Sequence, residues 1–577
     1  MTAGPRRLDR RSPALTIVLG IALTIAAAVV GITWAFSSPT GSSPDEVYHL
    51  SAIYCPPPMA ESGCPLQTDA DGNKIPMIPG GVFQSACYVF DGTKSAACQK
   101  GLSRASMAGN PEIDKGGYPG GYYKFTNLMT SPGVIDTTVR IRIFNVALAV
   151  VLLGTLMWLM DAPRRHISAV ALLSTAVPLG TFVVASVNPS SWAVTGTAGV
   201  WMSALGLWTT TSPRKRVAFS VLMVLSGVIA ATARSDAAMF SILGVLFMAG
   251  ALLPFSIRNP RWLAGPVLTI LICAISFLTS GQSGPLTSDV MTAEGRPARL
   301  VFFNNLKELP SVFGGIYGQG FGLGWLDTGM PSITRLGALA AVVMVITIGL
   351  GRYTHRKGLL AGGAFLLVAA LAMYLLQLQH SYVGENLQPR YILPMMPLIV
   401  VLCMFGRRPD RIVRVVGPRA VLVWALLCAA NAGALHANIR RYVTGQDQLR
   451  FNLNEGAEWW WSSGPSPMTT WYIGVLAFAV LASPLLLRGR MPTGLLPPRA
   501  TPASEPSAAR AVPQAEASGV DDPDERAVDA TPGDTVVADA SPSGADPVAD
   551  DGQVAPPGAA SGPSAADDED DATTRGA

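Results

Sequence analysis

The sequence predicts an all-α integral membrane protein with about twelve transmembrane helices. Three observations favour this fold class. The 577 residues are 49% hydrophobic and only 14% charged, whereas soluble globular proteins contain roughly 25% charged residues. Long apolar runs recur along the chain, and most are long enough to cross a bilayer. Basic residues cluster in every second connection between these runs, as the positive-inside rule requires of a multi-pass protein.

The formal net charge of +4 conceals two regions of opposite charge. Residues 501–577 contain 17 acidic and 3 basic residues, a net charge of −14, so the first 500 residues carry +18. Those basic residues are scattered through short connections between apolar runs and form no single patch. They therefore indicate orientation in a membrane, and we expect no nucleic-acid partner.

Residues 1–13 form a basic N-terminus that we expect in the cytoplasm, followed by an apolar run at residues 14–36. A signal peptide has a shorter apolar core and a small-residue cleavage site. We therefore favour an uncleaved first helix, with a signal peptide as the alternative.

The connection at residues 37–139 contains no spanning run and is predicted to be the first outer loop. Four of the seven cysteines lie in it, namely Cys55, Cys64, Cys87 and Cys98. Cysteines clustered in a non-cytoplasmic loop indicate disulfides, and their short separations favour Cys55–Cys64 and Cys87–Cys98 among three connectivities. A zinc site is the alternative, but no Cys-x-x-Cys spacing occurs.

Eleven further apolar runs complete a polytopic domain at residues 14–490. A second large outer loop is expected at residues 281–333. The basic clusters that should face the cytoplasm begin at Arg164, Arg214, Arg258, Arg352, Arg407 and Arg488. The runs lie at residues 141–160, 167–187, 191–210, 217–233, 237–256, 262–280, 334–351, 358–378, 391–406, 419–436 and 470–487.

Residues 491–577 are rich in Pro, Ala, Ser and Asp and have almost no aromatic residues. Such a segment cannot bury enough apolar surface to fold, so we predict a disordered, acidic cytoplasmic tail. A docking segment for a basic partner is the alternative.

Three polar residues open the first outer loop and are the candidate catalytic residues: Asp45, Glu46 and His49. A carboxylate beside an acceptor hydroxyl can act as a general base. His49 shares a helical face with Asp45 if a helix begins here. The structural alternative is a helix start, in which Ser43 is the cap, Pro44 lies in the first turn and the acids favour the helix dipole.

Several arginines lie on the outer side, where the positive-inside rule disfavours them. Charged groups at membrane depth are costly and usually have a task or a partner, and clustered arginines suit a phosphate or pyrophosphate group. The alternative is that Arg234 pairs with Asp236 while the others extend to the interface. The candidate binding residues in these segments are Arg140, Arg142, Arg234, Asp236, Gln388, Arg390 and Tyr391.

The outer loop before the eighth run contains Gly324-Trp325-Leu326-Asp327-Thr328. Its glycines allow close approach of the backbone, Trp325 can pack on a lipid or a sugar, and Asp327 is a third outer carboxylate. Trp325 and Asp327 complete the candidate binding residues.

Three motifs in this order carry a resemblance to a known family. With them, residues 14–490 resemble a family of bacterial predicted membrane proteins of unassigned function, which is similar to the GT-C superfamily of polytopic glycosyltransferases. The motifs are Pro44-Asp45-Glu46 with His49, Gly324-Trp325-Leu326-Asp327-Thr328 with Pro331, and Gln388-Pro389-Arg390-Tyr391-Ile392-Leu393-Pro394.

The resemblance implies a glycosyltransferase at the outer face of the bacterial cytoplasmic membrane, with a polyprenyl-phosphate sugar as donor and a cell-envelope glycan as acceptor. Asp45 or Glu46 would be the base, and Arg234 and Arg390 would hold the donor phosphate. A divalent cation bridging the acids and the phosphate is one option, and no other cofactor is implied. The alternatives are a transporter or flippase of envelope precursors, which would have internal repeats and charges near the bilayer midplane, and a non-catalytic scaffold.

Overall fold

The computed structural model describes residues 13–58, 62–68, 70, 72–102, 106–110, 113, 117–252, 260–281, 296–385, 387–406 and 412–486. All of them lie in one compact unit, Met1–Arg499. The N-terminal arginines, the basic residues Arg258, Arg407 and Arg488, and the acidic tail lie outside the described residues. The predictions made for them stay predictions.

The chain enters the structure in α1 (Pro13–Phe36) and then builds a small folded unit from the first outer loop. Two disulfides close this unit, Cys55–Cys64 and Cys87–Cys98, with Cα–Cα distances of 5.5 and 6.3 Å. They are the pairs that the short spacings favour. The unit consists of α2 (Glu46–Tyr54), β1 (Leu66–Thr68), β2 (Lys74–Pro79), α3 (Gly81–Gln84), β3 (Met107–Gly109) and α4 (Gly121–Asn127).

The three strands form an antiparallel sheet of order β1-β2-β3. The sheet was not expected from the sequence. Two of its strands are three residues long, which is too short for a visible alternation of polar and apolar residues.

Helices make up most of the rest of the described chain. The helices are α5 (Val134–Leu159), α6 (Ala162–Ala176), α7 (Leu179–Val184), α8 (Ser190–Thr209), α9 (Pro213–Ala233), α10 (Ser235–Leu252), α11 (Ala264–Thr279), α12 (Ala298–Gly315), α13 (Ser332–Leu350), α14 (His355–Lys357), α15 (Gly363–Leu378), α16 (Pro389–Ile392), α17 (Met396–Met404), α18 (Pro418–Val443) and α19 (Pro467–Ala482).

Nine helical segments of the described chain are long and apolar enough to cross a membrane. They confirm the prediction of an all-α, multi-pass membrane protein. A π-helical turn at Gly358–Gly362 joins α14 to α15, so these two helices count as one segment. The nine are α1, α5, α9, α10, α11 with the preceding turn, α13, α14 with α15, α18, and α19 with the following turn.

The other three predicted runs are helical but fall outside this set. The run at 167–187 is divided at Pro178 into α6 and α7. The run at 391–406 is divided by a 3₁₀ turn at Leu393–Met395 into α16 and α17. The third run is α8, whose many Ser, Thr and Gly residues lower its hydropathy. The twelve predicted spans therefore correspond to nine candidate spans and three interrupted or more polar segments.

Helix α8 lies in the core of the bundle, where 18 of its 20 residues are buried. It packs against α9 through glycine. A Cβ added to Gly196 would lie 2.7 Å from the backbone nitrogen of Ala230 and 2.8 Å from the carbonyl oxygen of Ser226. Small residues let helix backbones approach closely, so Gly196 allows α8 and α9 to pack tightly against each other.

Candidate functional site

The corner between α1 and α2 is held by one buried arginine of α5. Arg142 is 1% exposed, and its guanidinium donates to the carbonyl oxygens of Ala35, Ser38 and Pro39 at 3.0, 2.6 and 2.7 Å. It also donates to both carboxylate oxygens of Glu46 at 3.1–3.2 Å. Arg142 thus fixes the chain where it leaves α1.

Glu46 belongs to the same clamp. Its side chain is fully buried, and it also accepts a hydrogen bond from the backbone N–H of Ser43 at 2.7 Å. With its oxygens occupied by the protein, Glu46 has no surface from which to reach a substrate. The structure therefore assigns Glu46 and Arg142 to the framework, and we leave both out of the proposed reactive centre.

Asp45, by contrast, faces a different group of residues. It is the N-cap of α2 in the left-handed region, with φ of 57°, and its side chain makes no capping hydrogen bond. Aspartate tolerates this conformation better than most residues. Its carboxylate, 42% exposed, instead accepts a hydrogen bond from Nη2 of Arg390 at 2.5 Å. A helix does begin here, as the structural alternative states, and Glu46 lies in its first turn, but the N-cap is Asp45 and not Ser43, and Pro44 precedes the helix.

Arg390 enters this group from the N-terminus of α16, where Pro389 occupies the first helical position. Its side chain is 3% exposed, and Nη2 is also 3.1 Å from the hydroxyl of Tyr391. Its Nε and Nη1 are buried and have no hydrogen-bond partner among the described residues. A buried donor without a partner costs about 1–3 kcal/mol, so these two groups suit a ligand that accepts hydrogen bonds.

A small cavity adjoins Arg390. Its volume is about 10 Å³, which holds about one water molecule. Pro44, Gln388 and Arg390 contribute to its wall, and Oε1 of Gln388 is also buried without a partner among the described residues. Since Asp45 is partly exposed, the group reaches the surface on the Asp45 side.

Arg234 adds a second buried cation to the group. It lies between α9 and α10, and its Nε and Nη2 donate to the Asp236 carboxylate at 2.9 and 2.8 Å. Its guanidinium also lies 4.6 Å from the ring centre of Tyr391 and 5.7 Å from that of Tyr118. Pairing with Asp236, considered above as an alternative to phosphate binding, is therefore present, and Arg234 still lies beside the residues that surround Arg390.

His49 lies under Asp45 on α2. Its backbone N–H donates to the carbonyl oxygen of Asp45 at 2.9 Å, and its Nδ1 is 2.9 Å from the hydroxyl of Tyr123. The ring packs edge to face with Tyr118 at 5.4 Å. Burial is the main reason that the pKa of His49 falls to about 3, so the ring is neutral at physiological pH.

The electrostatics of Asp45 reflect competition between burial and charge. Burial alone would raise the pKa of this carboxyl, but the positive charges of Arg390 and Arg234, together with the hydrogen bond from Arg390, leave it below its ordinary value. Asp45 is therefore an anion at neutral pH. Any ligand that neutralises Arg390 would make Asp45 a stronger base.

The structure brings together six of the predicted site residues. Together with Tyr118 and Tyr123 we call them the outer polar cluster, after the side of the membrane that the charge pattern predicts for them. The six are Asp45, His49, Arg234, Asp236, Arg390 and Tyr391, and Gln388 lies at its edge. Arg140 is exposed at the start of α5 and shares no contact with this cluster among the described residues.

The loop that holds Trp325 and Asp327 lines the small cavity beside Arg390 through Gly324 and Leu326, but these two side chains make their contacts elsewhere. Asp327 accepts a hydrogen bond from Nη2 of the fully buried Arg441 at 2.8 Å, and Trp325 donates to the carbonyl oxygen of Gly41 at 2.8 Å. Both residues tie the turn before α13 to neighbouring segments. Their environment indicates a role in the framework.

Sequence reasoning missed Tyr118, Tyr123 and Arg441. The first two lie in Gly116-Gly117-Tyr118-Pro119-Gly120-Gly121-Tyr122-Tyr123, a glycine-flanked tyrosine run in an outer loop. Such a run is a usable signal, because aromatic residues between glycines are unusual for a plain linker. Arg441 lies in the last turn of α18, at the end predicted to face outward, and the rule that placed Arg234 and Arg390 among the candidates applies to it equally.

No group of three or more His, Cys, Asp or Glu side chains in the described part of the chain could hold a metal ion. Asp45 and Glu46, the proposed cation ligands, face different partners. The described residues therefore do not fit the predicted bridging cation, and no step below depends on one.

Comparison with known proteins places these observations in a family. A family model described as "Predicted membrane protein (DUF2142)" matches residues 28–399. The matched region contains the Asp45, Arg234 and Arg390 segments. A search of curated proteins finds no match to the chain.

Proposed function

The chain belongs to this family of predicted membrane proteins (DUF2142), and we propose that it is a glycosyltransferase. In this proposal it moves a sugar from a polyprenyl-phosphate donor to a cell-envelope acceptor at the outer face of the bacterial cytoplasmic membrane. The outer polar cluster is the reactive centre. The N-terminus and the acidic tail are then cytoplasmic.

One observation carries the proposal. A partly exposed carboxylate, Asp45, lies 2.5 Å from a buried arginine, Arg390, that retains two nitrogens without partners among the described residues. A base beside an anion site is what transfer from a phosphate-linked sugar requires. The acidic motif after the first span, in which the chain resembles the GT-C superfamily, is consistent with the same role.

The proposed reaction is a single displacement. The Asp45 carboxylate accepts the proton of the acceptor hydroxyl, whose oxygen forms a bond to the anomeric carbon of the donor sugar. The bond from that carbon to the phosphate oxygen breaks, and its electron pair leaves with the polyprenyl phosphate. Arg390 hydrogen-bonds that phosphate, and preorganised charge of this kind lowers the barrier for a leaving anion.

Phosphate binding and base strength are coupled in this arrangement. The field of Arg390 holds the pKa of Asp45 below its ordinary value, which makes the resting carboxylate a weak base. A phosphate that binds Nε and Nη1 of Arg390 neutralises the charge of this arginine, which raises the proton affinity of the Asp45 carboxylate. Binding of the donor phosphate thus makes Asp45 a stronger base before it accepts the proton of the acceptor hydroxyl.

The neighbouring residues position these two groups. Neutral His49 supports the first turn of α2 beneath Asp45, and Asp236 keeps Arg234 against Tyr118 and Tyr391. Arg234 adds positive potential near the phosphate while it remains paired with Asp236. Tyr391 contacts both arginines and holds them in a fixed relation.

The test replaces Asp45 with asparagine in a strain that lacks the chromosomal gene. Asp45→Asn keeps the size and the left-handed backbone preference but removes the base, so we expect transfer to fall by about 10²- to 10⁴-fold. The measurement is the amount of lipid-linked sugar and of finished envelope glycan. We expect the lipid-linked sugar to accumulate.

The matched control is Glu455→Gln, which removes another outer-loop carboxylate paired with an arginine. Glu455 is 58% exposed and lies 3.0 Å from Arg450, with no contact to the cluster among the described residues. It should behave as wild type. Full glycan production by Asp45→Asn, at wild-type levels of protein in the membrane, would overturn the proposal.

A further inference from the structure

A long apolar cavity lies inside the bundle, away from the outer polar cluster. Its volume is about 340 Å³, and α1, α5, α6, α7 and α8 form most of its wall. The lining is almost entirely Leu, Val, Ala, Gly and Met, with a few threonines, Trp158 and Arg165. We call this cavity the apolar slot.

The slot is elongated along the helices. It follows α1 from Thr16 to Gly31 and α5 from Val146 to Trp158. At 1.5 Å of rise per residue these stretches are roughly 22 and 18 Å long. That shape matches one extended hydrocarbon chain and not a compact ligand.

The slot is accessible from the side of the bundle. Of the α1 residues that line it, Thr16, Leu23 and Ala27 are half-buried and Thr24 is exposed, whereas Val30 is buried. Apolar cavities of this kind are unfavourable for water. Because α1 and α5 are candidate membrane spans, the surrounding medium supplies lipid chains to such an opening.

One end of the slot is positively charged. Arg165 lines it and donates to the carbonyl oxygens of Met157 and Met160 at 2.7 and 2.8 Å. Lys215 donates to the carbonyl oxygen of Leu159 at 2.7 Å. Arg165 and Lys215 therefore both lie at the C-terminal end of α5, which is the side predicted to face the cytoplasm. The nearby Asp161 carboxylate is paired with Arg164 at 2.6 Å, so cations outnumber acids among these residues. Anionic phospholipid headgroups are attracted to such cations.

Helix α7 separates the slot from the proposed reactive centre. Gly180, Thr181 and Val184 line the slot, while Leu179 and Phe182 line the small cavity beside Arg390. A lipid with its phosphate near Arg165 is therefore a different molecule from a donor held at Arg390.

We propose that the apolar slot binds one acyl chain of an anionic phospholipid, whose phosphate lies at the Arg165 end. This inference does not depend on the proposed transferase activity. The lipid fills space between α1, α5 and α6 and supports α7, whose other face adjoins Arg390.

The test uses the full-length protein in vesicles that contain phosphatidylglycerol with a photoreactive diazirine in one acyl chain. We expect cross-links in the wild-type protein on slot residues such as Leu23, Leu153 and Val184, mapped by mass spectrometry. Gly154→Leu should abolish them. A Cβ at Gly154 meets no atom within 4 Å, so the leucine side chain enters the slot without a clash.

The matched control is Gly363→Leu on α15. A Cβ there also meets nothing within 4 Å, but Gly363 is outside the slot, so the cross-links should remain. Diacylglycerol with the same photoreactive chain should label the slot less than phosphatidylglycerol does. The proposal is overturned if wild-type protein gives no slot cross-links, if Gly154→Leu keeps them, if diacylglycerol labels the slot equally, or if a photoreactive polyprenyl phosphate labels it in preference.

Discussion

At the scale of single residues, Asp45 and Glu46 are neighbours in sequence with opposite environments. Glu46 is fully buried in an ion pair with Arg142, and Asp45 is partly exposed beside Arg390. Breaking a buried pair by removing one partner leaves an uncompensated charge inside the protein. Neutralising Glu46 should therefore lower the stability of the protein, whereas neutralising Asp45 should lower its proposed activity.

Glu46→Gln should destabilise the protein by about 3–5 kcal/mol, because Arg142 would then be a buried cation without its counter-ion. The measurement is thermal unfolding of the detergent-purified protein. Glu455→Gln breaks an exposed pair and should cost about 0–1 kcal/mol. Equal losses in the two variants would contradict the framework role of Glu46.

His49 should make the protein sensitive to acid. Its folded-state pKa is about 3, below the ordinary value of 6.5, so between these values the unfolded state binds a proton that the folded state does not. Stability from this group is fully present above pH 6.5 and falls by about 1.4 kcal/mol for each pH unit below it. Between pH 7.5 and 4.5, the unfolding temperature should fall less steeply in His49→Gln than in the wild-type protein. The control is His355→Gln, at an exposed histidine, in which the unfolding temperature should depend on pH as it does in the wild-type protein.

The sequence suggested that an acid, a histidine and outer arginines meet, but it could not distinguish the two acids. That distinction depends on Arg142, which lies 96 positions after Glu46. Nothing in the local pattern says which of Arg140 and Arg142 faces inward. Asp236 and Arg234, only two positions apart, were paired correctly as an alternative because their contact is local.

At the scale of elements, the closeness of α8 and α9 sets the position of the outer turns. Helix α9 ends at Ala233, directly before Arg234, and α8 begins two residues after Asn188, whose side chain donates to the carbonyl oxygen of Pro44 at 2.9 Å. The glycine contacts between α8 and α9 therefore help to hold Arg234 near the α2 corner.

Gly196→Ala should loosen this pair, because the new methyl group would lie 2.7–2.9 Å from atoms of Ala230 and Ser226. Overpacking of this kind costs about 1–3 kcal/mol. Gly154→Ala is the matched control, since its Cβ meets no atom within 4 Å, and alanine in a helix is favoured over glycine by about 1 kcal/mol. The unfolding temperature should thus fall in Gly196→Ala and rise in Gly154→Ala. A change in the same direction in both variants would contradict tight packing at Gly196.

Helix positions were predictable from the apolar runs. The run at 167–187 has the composition of a span, and the signal for its break is Pro178, because proline has no backbone N–H and clashes with the preceding turn of a helix. Apolar composition alone does not distinguish such a break from a kink in a continuous span. Helix α8 is a different case. Other helices bury nearly all of its residues, so its surface does not have to be strongly apolar. The burial of a helix depends on which other helices pack around it, and this cannot be predicted from its own residues.

At the scale of the whole molecule, the distribution of charge predicts which ends of the helices face the cytoplasm. The loop that holds both disulfides would then face an oxidising compartment. Exposed positions on the two sides make this orientation testable. Leu449 is 93% exposed in a predicted outer loop, and Arg214 is exposed in a predicted cytoplasmic one.

Single cysteines at these positions should differ in labelling by a membrane-impermeant maleimide. Leu449→Cys should react in intact cells, whereas Arg214→Cys should react only after lysis. The unmodified protein is the background control, because Cys273 and Cys403 are buried and Cys428 is partly buried. Labelling of Arg214→Cys in intact cells, without labelling of Leu449→Cys, would invert the predicted topology.

Asp45 and Arg390 are 345 positions apart, and this separation has a consequence for biogenesis. During translation, the ribosome delivers Asp45 near the start and Arg390 only after most of the chain has been inserted. A product shortened by a premature stop codon before α16 could still build the corner that Arg142 clamps. It would present Asp45 without Arg390, so under the proposed mechanism an incomplete chain would lack the phosphate site.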